Sequence, residues 1–454
     1  MTFQKGNKNV EKKLHKKYGA FVALSMVIGI VIGIGIFFKS GTILKASGGN
    51  PKIALLAWLI GGIITIFSGL SIAEIGAAIP EGGGIVAYIE KIYGRLFAYI
   101  VGWTLCILYM PAIEAIIVYY FSIFLLNFLG IESSYFLMMC ISFGTLTLVS
   151  FINMFTKKAG GVIQVVFTAA KLIPIILLII YGFSGGNISD NIKSYQMTGS
   201  SGKPFILLLG SALVPVMFSF DGWIYVSSIS GEMKNLKRDL PRAIIWGLGI
   251  ITTVYLLFNM ALLSVFPVNR IIDEGVFGVA LQLFGVHGAK FIFLGIVISA
   301  FGGLNGFTIA SPRIPYNLAL EGMFPFKNII GKVNEKHDQP INASILVYVL
   351  ACIYLGLIFF TKNPDVFGDI PVAVFWIYYT FLFIGVIILR KKFPDLERPY
   401  KVPFYPVIPI LAAVSGVTIA VYAAITNPLY MLISGGIILS GIPFYRKNKG
   451  SDVL

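Results

Sequence analysis

The sequence predicts an all-α polytopic membrane protein with twelve transmembrane helices. Three observations predict it. Of its 454 residues, 57% are hydrophobic and only 12% charged, and the mean hydropathy of +0.87 describes no soluble chain. Apolar runs of roughly 20 residues, long enough to cross a bilayer, recur from end to end. The basic residues, finally, sort to one side of those runs. Helix is the only sensible state for them, because lipid offers no partner to a free backbone group and no alternating barrel pattern is present.

The spans are expected near 19–46, 53–79, 96–127, 134–154, 160–184, 204–232, 239–266, 288–318, 341–361, 370–390, 404–425 and 428–445. With both termini inside, 26 of the 35 Lys and Arg lie in cytoplasmic segments. Eight lie outside, Lys39 and Lys362 among them, and Lys171 is within the membrane. One missed or extra span would spoil that positive-inside asymmetry. The net charge of +15 therefore reads as topology. The basic tail, residues 1–18, is expected beside anionic lipid rather than on nucleic acid. It has no short apolar core or cleavage site of a signal peptide. Cys106, Cys140 and Cys352 all fall in spans, with no metal spacing and no disulfide framework. No cofactor is expected.

Two spans are built to come apart. The first contains "IGIVIGIGIFF" (Ile28–Phe38), where Gly29, Gly33 and Gly35 each weaken a helix by about 1 kcal/mol relative to alanine. The sixth contains "SALVPVMFSFDGW", where Pro215 removes a backbone donor and Asp221-Gly222 interrupts the helix. The two hold matching places if spans 1–5 and 6–10 are copies of one unit. Interrupted helices at matched positions point to a transporter's substrate site near the bilayer midplane. An unwound turn leaves N–H groups at the start of the second half-helix, suited to a carboxylate, and carbonyls at the end of the first, suited to an ammonium. Two such breaks face to face offer the layout of an α-amino acid.

The motifs that surround the breaks resemble those of the amino acid–polyamine–organocation (APC) superfamily, and most closely its L-type amino acid transporter branch. The likeness covers nearly the whole chain. It rests on Gly33-Ile34-Gly35-Ile36-Phe37, on "AEIGAAIPEGGG" (Ala73–Gly84), on "FSFDGW" (Phe218–Trp223) and on "GGLNGFTIASPRIPYNLALEGMFP" in the eighth span. The fold that the resemblance implies is the five-plus-five inverted repeat of LeuT-like transporters. Its units would be a tail at 1–18, repeats at 19–184 and 204–390, two further spans at 404–445, and a cytoplasmic tail at 446–454.

Carried over residue by residue, the resemblance implies that backbone amides at Ile34 and Gly35, with Gly33 beside them, hold a substrate carboxylate. Carbonyls near Val31, Phe218 and Asp221, at the break that includes Ser219, would hold its amino group, and Phe218 would act as a gate. Where the family often has a small residue between the glycines this chain has Ile34, which narrows the pocket if it points inward. Lys171, deep in the fifth span, is implied to stand in for a sodium ion by bridging spans 1 and 8. Some family members carry a heavy subunit disulfide-bonded to the loop after span 3; here "LGIESSYF" has no cysteine, so no covalent partner is expected.

Intramembrane ionisable residues are costly and are functional candidates by default. Asp221 either counters a substrate cation, pairs with Lys171 or caps the second half-helix. Glu114 either faces the pocket, favouring cationic substrates, or bonds within the bundle. Glu74 is expected to organise the inner gate. Asn305 is a candidate for the pocket wall, against a helix–helix hydrogen bond. An enzyme is not expected, because no His-, Asp- or Cys-based cluster lies within the spans. The expected function is sodium-independent exchange of small or mid-sized neutral L-amino acids across the cell membrane. The alternative is a proton-coupled transporter or exchanger of cationic amino acids or polyamines.

Overall fold

A computed structural model describes residues 19–79, 84–132, 134–155, 161–188, 191, 202–224, 233–334, 336–337 and 339–445, with the side chains at 22, 161–170 and 236 left aside. Both tails, Pro80–Gly83 of the second-helix motif and residues 225–232 of the sixth span lie outside the described residues.

The described chain is helical, with one isolated bridge between Asn334 and Gln339. The first span is two helices, α1 (Ala20–Val31) and α2 (Gly35–Ala46), bent by 52° across the glycine patch. α3 (Pro51–Ala78) starts where Asn50 accepts from the N–H groups of Lys52 and Ile53 and Pro51 fills the first helical position. A short helix, α4 (Gly84–Tyr93), leads to α5 (Arg95–Thr104), which runs through a π-turn at Leu105–Tyr109 into α6 (Met110–Leu129). That turn has a cause. Pro111 has no N–H for the Ile107 carbonyl, which instead accepts from the Tyr354 hydroxyl at 3.1 Å.

Then follow α7 (Tyr135–Phe155), α8 (Gly161–Gly185), α9 (Phe205–Ser219), α10 (Leu236–Val265) and α11 (Val268–Ala310). α11 turns at Gly275 and Gly285, whose φ angles of 58° and 63° suit only glycine. The eighth span was expected to begin at 288 and run to 318. Its start falls just past the break at Gly285; helix ends at Ala310 and resumes as α12 (Arg313–Leu320) after Pro312. The remainder is α13 (Lys327–Ile330), α14 (Ile341–Thr361), α15 (Val366–Lys392), α16 (Val407–Thr426) and α17 (Pro428–Leu439).

Nine helices among the described residues are long and apolar enough to cross a membrane, or ten with α1 and α2 taken as one broken span. Two shorter apolar helices, Lys171–Gly185 and Phe205–Ser219, occupy the expected fifth and sixth spans. Corresponding members of the two halves pack on one another: α3 on α10, α6 on α11, and α2 on α9. A two-fold relation between halves, with its axis through the middle of the bundle, requires those contacts. Both breaks lie at that centre.

Candidate functional site

At the first break, Ile32 N–H closes the last bond of α1 onto the Ile28 carbonyl at 2.9 Å, and Gly33 N–H folds back to Val31 at 2.8 Å. The N–H groups of Ile34, Gly35 and Ile36 have no acceptor among the described residues. They form the positive end of α2. At the second break α9 stops at Ser219, the Asp221 N–H turns onto the Phe218 carbonyl at 3.2 Å, and Gly222 takes φ 98°.

The breaks touch. A Cβ built on Gly35 would lie 3.4 Å from both Ser219 Cα and Phe218 Cε1, and one on Gly222 would lie 2.8 Å from Ile30 Cγ2. The Phe218 ring is held between Gly35 and Gly368, where a Cβ would come within 2.8 Å of it. It thereby covers the start of α2.

Tyr255 of α10 joins the two breaks, a role that sequence reading missed. Its hydroxyl lies 3.0 Å from the Val31 carbonyl and 3.0 Å from that of Ser219, and the residue is wholly buried. Trp58 and Phe220 pack on its ring. A lone tyrosine within "TTVYLLFN" is the signal that could have found it: its hydroxyl needs a partner in an apolar span. Tyr109, the last residue of the π-turn, donates to one Asp221 carboxylate oxygen. The other oxygen is buried with no hydrogen-bond partner.

Lys171 Nζ donates to the Gly29 carbonyl of α1 and is 7% exposed. It lines a cavity of about 310 Å³ with Gly29, Ile30, Gly33, Ile34 and Ser299. The Ser299 hydroxyl, on the α11 wall of that cavity, is buried and unpartnered. Ile34 is 5% exposed and lines the cavity. Phe218, Ser219 and Asp221 adjoin the break on the other side and do not line it.

Two candidate side chains sit elsewhere. Asn305 accepts from the Asn153 amide of α7 at 2.9 Å, so it ties two helices and is absent from the cavity lining. Glu114, 1% exposed, accepts from the Ser311 hydroxyl at 2.5 Å and borders a small separate pocket with Ser150 and Thr308. Both residues serve contacts within the bundle. Val31 and Phe218 carbonyls, assigned to a ligand's ammonium, already accept from protein donors. Glu74 accepts from two Arg390 nitrogens at 2.8 and 2.7 Å and from the Val402 N–H at 2.7 Å, which ties α3 to α15.

Lys39, which the charge pattern counts on the outer side, is 0% exposed; Asp365 and Asp369, at the start of α15, supply the counter-charges that its burial needs.

Comparison with known proteins agrees with this geometry. The amino acid permease family pattern matches residues 18–440. The serine/threonine exchanger SteT of Bacillus subtilis is 36% identical over 444 residues, covering 96% of this chain and 98% of that protein. The Asc-type amino acid transporter 1 of Mus musculus is 27% identical, covering 95% of this chain and 81% of its own. The human b(0,+)-type amino acid transporter 1 is also 27% identical, covering 95% and 88%. These relatives are named as transporters and exchangers, not as enzymes. An all-helical bundle with a broken first span, matched over nearly its whole length by such proteins, belongs to the amino acid permease family of the APC superfamily, on its L-type amino acid transporter side.

Proposed function

We propose that this multi-pass transporter exchanges small or mid-sized neutral L-amino acids by alternating access, without sodium. The observation that carries the reading is the set of three unbonded N–H groups, Ile34 to Ile36, at the start of a helix. Converging donors at a helix N-terminus suit a carboxylate. Gly35 admits that carboxylate to the backbone, and Ile34 narrows the cavity toward small side chains. The relatedness to a serine/threonine exchanger supports the same size class.

The ammonium would bind at the opposite pole of the break. The Tyr255 hydroxyl has one proton for two carbonyls; given to Ser219, it leaves the Val31 oxygen, which keeps its bond from the Gly33 N–H, one lone pair for the ligand. Phe218 then closes over the site as a gate, with Ser219 and Asp221 framing it. Lys171 supplies a fixed positive charge between α1 and α11, where a carrier driven by sodium would hold an ion. In this reading both termini are cytoplasmic, residues 19–184 and 204–390 are the two inverted repeats, 404–445 lie outside them, and no disulfide-linked subunit is needed. Asn305 and Glu114 support the bundle rather than the ligand.

A second reading, proton-coupled movement of cationic amino acids or polyamines, draws on the unpartnered Asp221 oxygen. Proteoliposomes separate the two. Labelled serine or alanine should enter only when unlabelled amino acid is present inside, equally with and without sodium. Uptake that needs no internal substrate and follows a pH gradient would favour the second reading.

A further inference from the structure

The segment that joins the eighth span to the ninth has surface chemistry that transport does not call for. One membrane-capable stretch ends at Leu320 and the next begins at Ile341, so residues 321–340 lie at one surface of the bilayer. A cluster of rings marks the level. Trp103 of α5 packs on Phe324 and on Phe444, and Tyr99 packs on Tyr445. The Tyr99 hydroxyl donates to the Gly441 carbonyl at 2.9 Å, and the Trp103 indole to that of Ile437 at 3.1 Å. Amphipathic rings of this kind collect at the headgroup level of a bilayer.

The segment has two faces at that level. Leu318, Met323, Phe324 and Ile330 are buried against the rings. Leu320, Phe326, Ile329 and Val333 are exposed, Phe326 by 74%. Four large apolar side chains turned outward beside lysines suit the boundary between headgroups and acyl chains, not water.

Between α12 and α13 lies a cleft of about 640 Å³, lined by Glu321, Lys327, Asn328 and Lys332 with Leu320 at its edge. Arg95 of α5 stands beside it, its Nη2 donating to the Glu321 carbonyl at 2.5 Å. Two lysines against one carboxylate leave a single positive charge in the cleft, which complements one phosphodiester. The Glu321 carboxylate and the Asn328 amide oxygen add acceptors suited to hydroxyl groups. A soluble anion would need no apolar fringe, whereas a lipid does.

We propose that this cleft binds an anionic phospholipid with a hydroxyl-bearing headgroup, of the phosphatidylglycerol type. Lys327 and Lys332 hold the phosphate, Glu321 and Asn328 accept from the glycerol hydroxyls, and Leu320, Phe326 and Ile329 lie along the acyl chains. The charge pattern places these lysines inside, so the lipid belongs to the cytoplasmic leaflet. That detail rests on the orientation proposed above; the binding itself does not, nor does it depend on transport.

Native mass spectrometry of the whole delipidated chain measures binding directly. Phosphatidylglycerol should bind at least about tenfold more tightly than phosphatidylcholine or phosphatidylethanolamine with the same acyl chains. Lys327→Gln and Lys332→Gln should each weaken phosphatidylglycerol about fivefold and leave phosphatidylcholine unchanged. Lys332 is exposed, so its variant keeps the test decisive if Lys327→Gln fails to fold. A phosphatidylglycerol with a photoreactive headgroup should crosslink within residues 319–333. Equal affinity for the three lipids, lysine variants that bind as the parent does, or crosslinks confined to other segments would overturn the site. Displacement of the lipid by millimolar inorganic phosphate would make the cleft a soluble-anion site and overturn it equally. Failure of the exchange assay would strike the transport reading and leave this site standing.

Discussion

Tyr255 has one hydroxyl proton and stands 3.0 Å from each of two carbonyls, Val31 and Ser219, on different broken helices. Both cannot be satisfied at once, so the bond is shared or alternates. Tyr255→Phe removes the hydroxyl while leaving the ring against Trp58 and Phe220. A neutral hydrogen bond contributes about 1 kcal/mol net to stability, so melting in detergent should move by only a few degrees. Exchange should fall by tenfold or more if the hydroxyl serves the site, and retention of full exchange would exclude that role. Lys171 makes the complementary case. Lys171→Ala withdraws the positive charge beside the Gly29 carbonyl and should cripple exchange far more than it lowers expression, read as turnover per folded molecule. Full activity in that variant would end the built-in-cation account. Residues of this kind were unevenly legible beforehand. Lys171 stands alone in an apolar run, so its cost is visible in the sequence. The partners of Lys39 lie more than 300 positions away, and no local pattern joins them. Asn305 looked like a pocket residue because the glycines of its span do line the cavity, while its own amide turns to Asn153.

Breaks and bends in the elements follow from residues whose backbones cannot continue a helix. The glycine patch separates α1 from α2, Gly222 turns the chain after α9, and Pro111 releases the Ile107 carbonyl and creates the π-turn that aims Tyr109 at Asp221. The first two were readable from composition alone, since glycine and proline act locally. The consequence of Pro111 was not, because its effect on register becomes functional only when a residue two positions earlier meets another helix. The start of the eighth span was legible in the same way, since Gly285, with φ 63°, breaks α11 just before it; the turns ahead of that break carry Arg270 and Glu274, paired at 2.7 Å.

For the whole molecule, α15 is tied at both ends to helices of the first half: at one end to α2 through Lys39, at the other to α3 through Glu74. Glu74 is 3% exposed and accepts three hydrogen bonds, so Glu74→Ala strands the Arg390 guanidinium and the Val402 N–H. Arg390 is partly exposed, so the loss costs about 1–3 kcal/mol, to be read as a lowered melting temperature and a shift in the KM ratio of the two faces. A change in stability alone, with both KM values intact, would make Glu74 a structural tie and nothing further. The helices that these ties join also pack across the bundle, α3 on α10 and α2 on α9. All of this depends on where the ligand sits. A density map of the protein equilibrated with the amino acid that it exchanges best should place the carboxylate within hydrogen-bond reach, about 2.7–3.2 Å, of the N–H groups of Ile34, Gly35 or Ile36. An amino acid held elsewhere, with those three N–H groups still bare, would contradict the account.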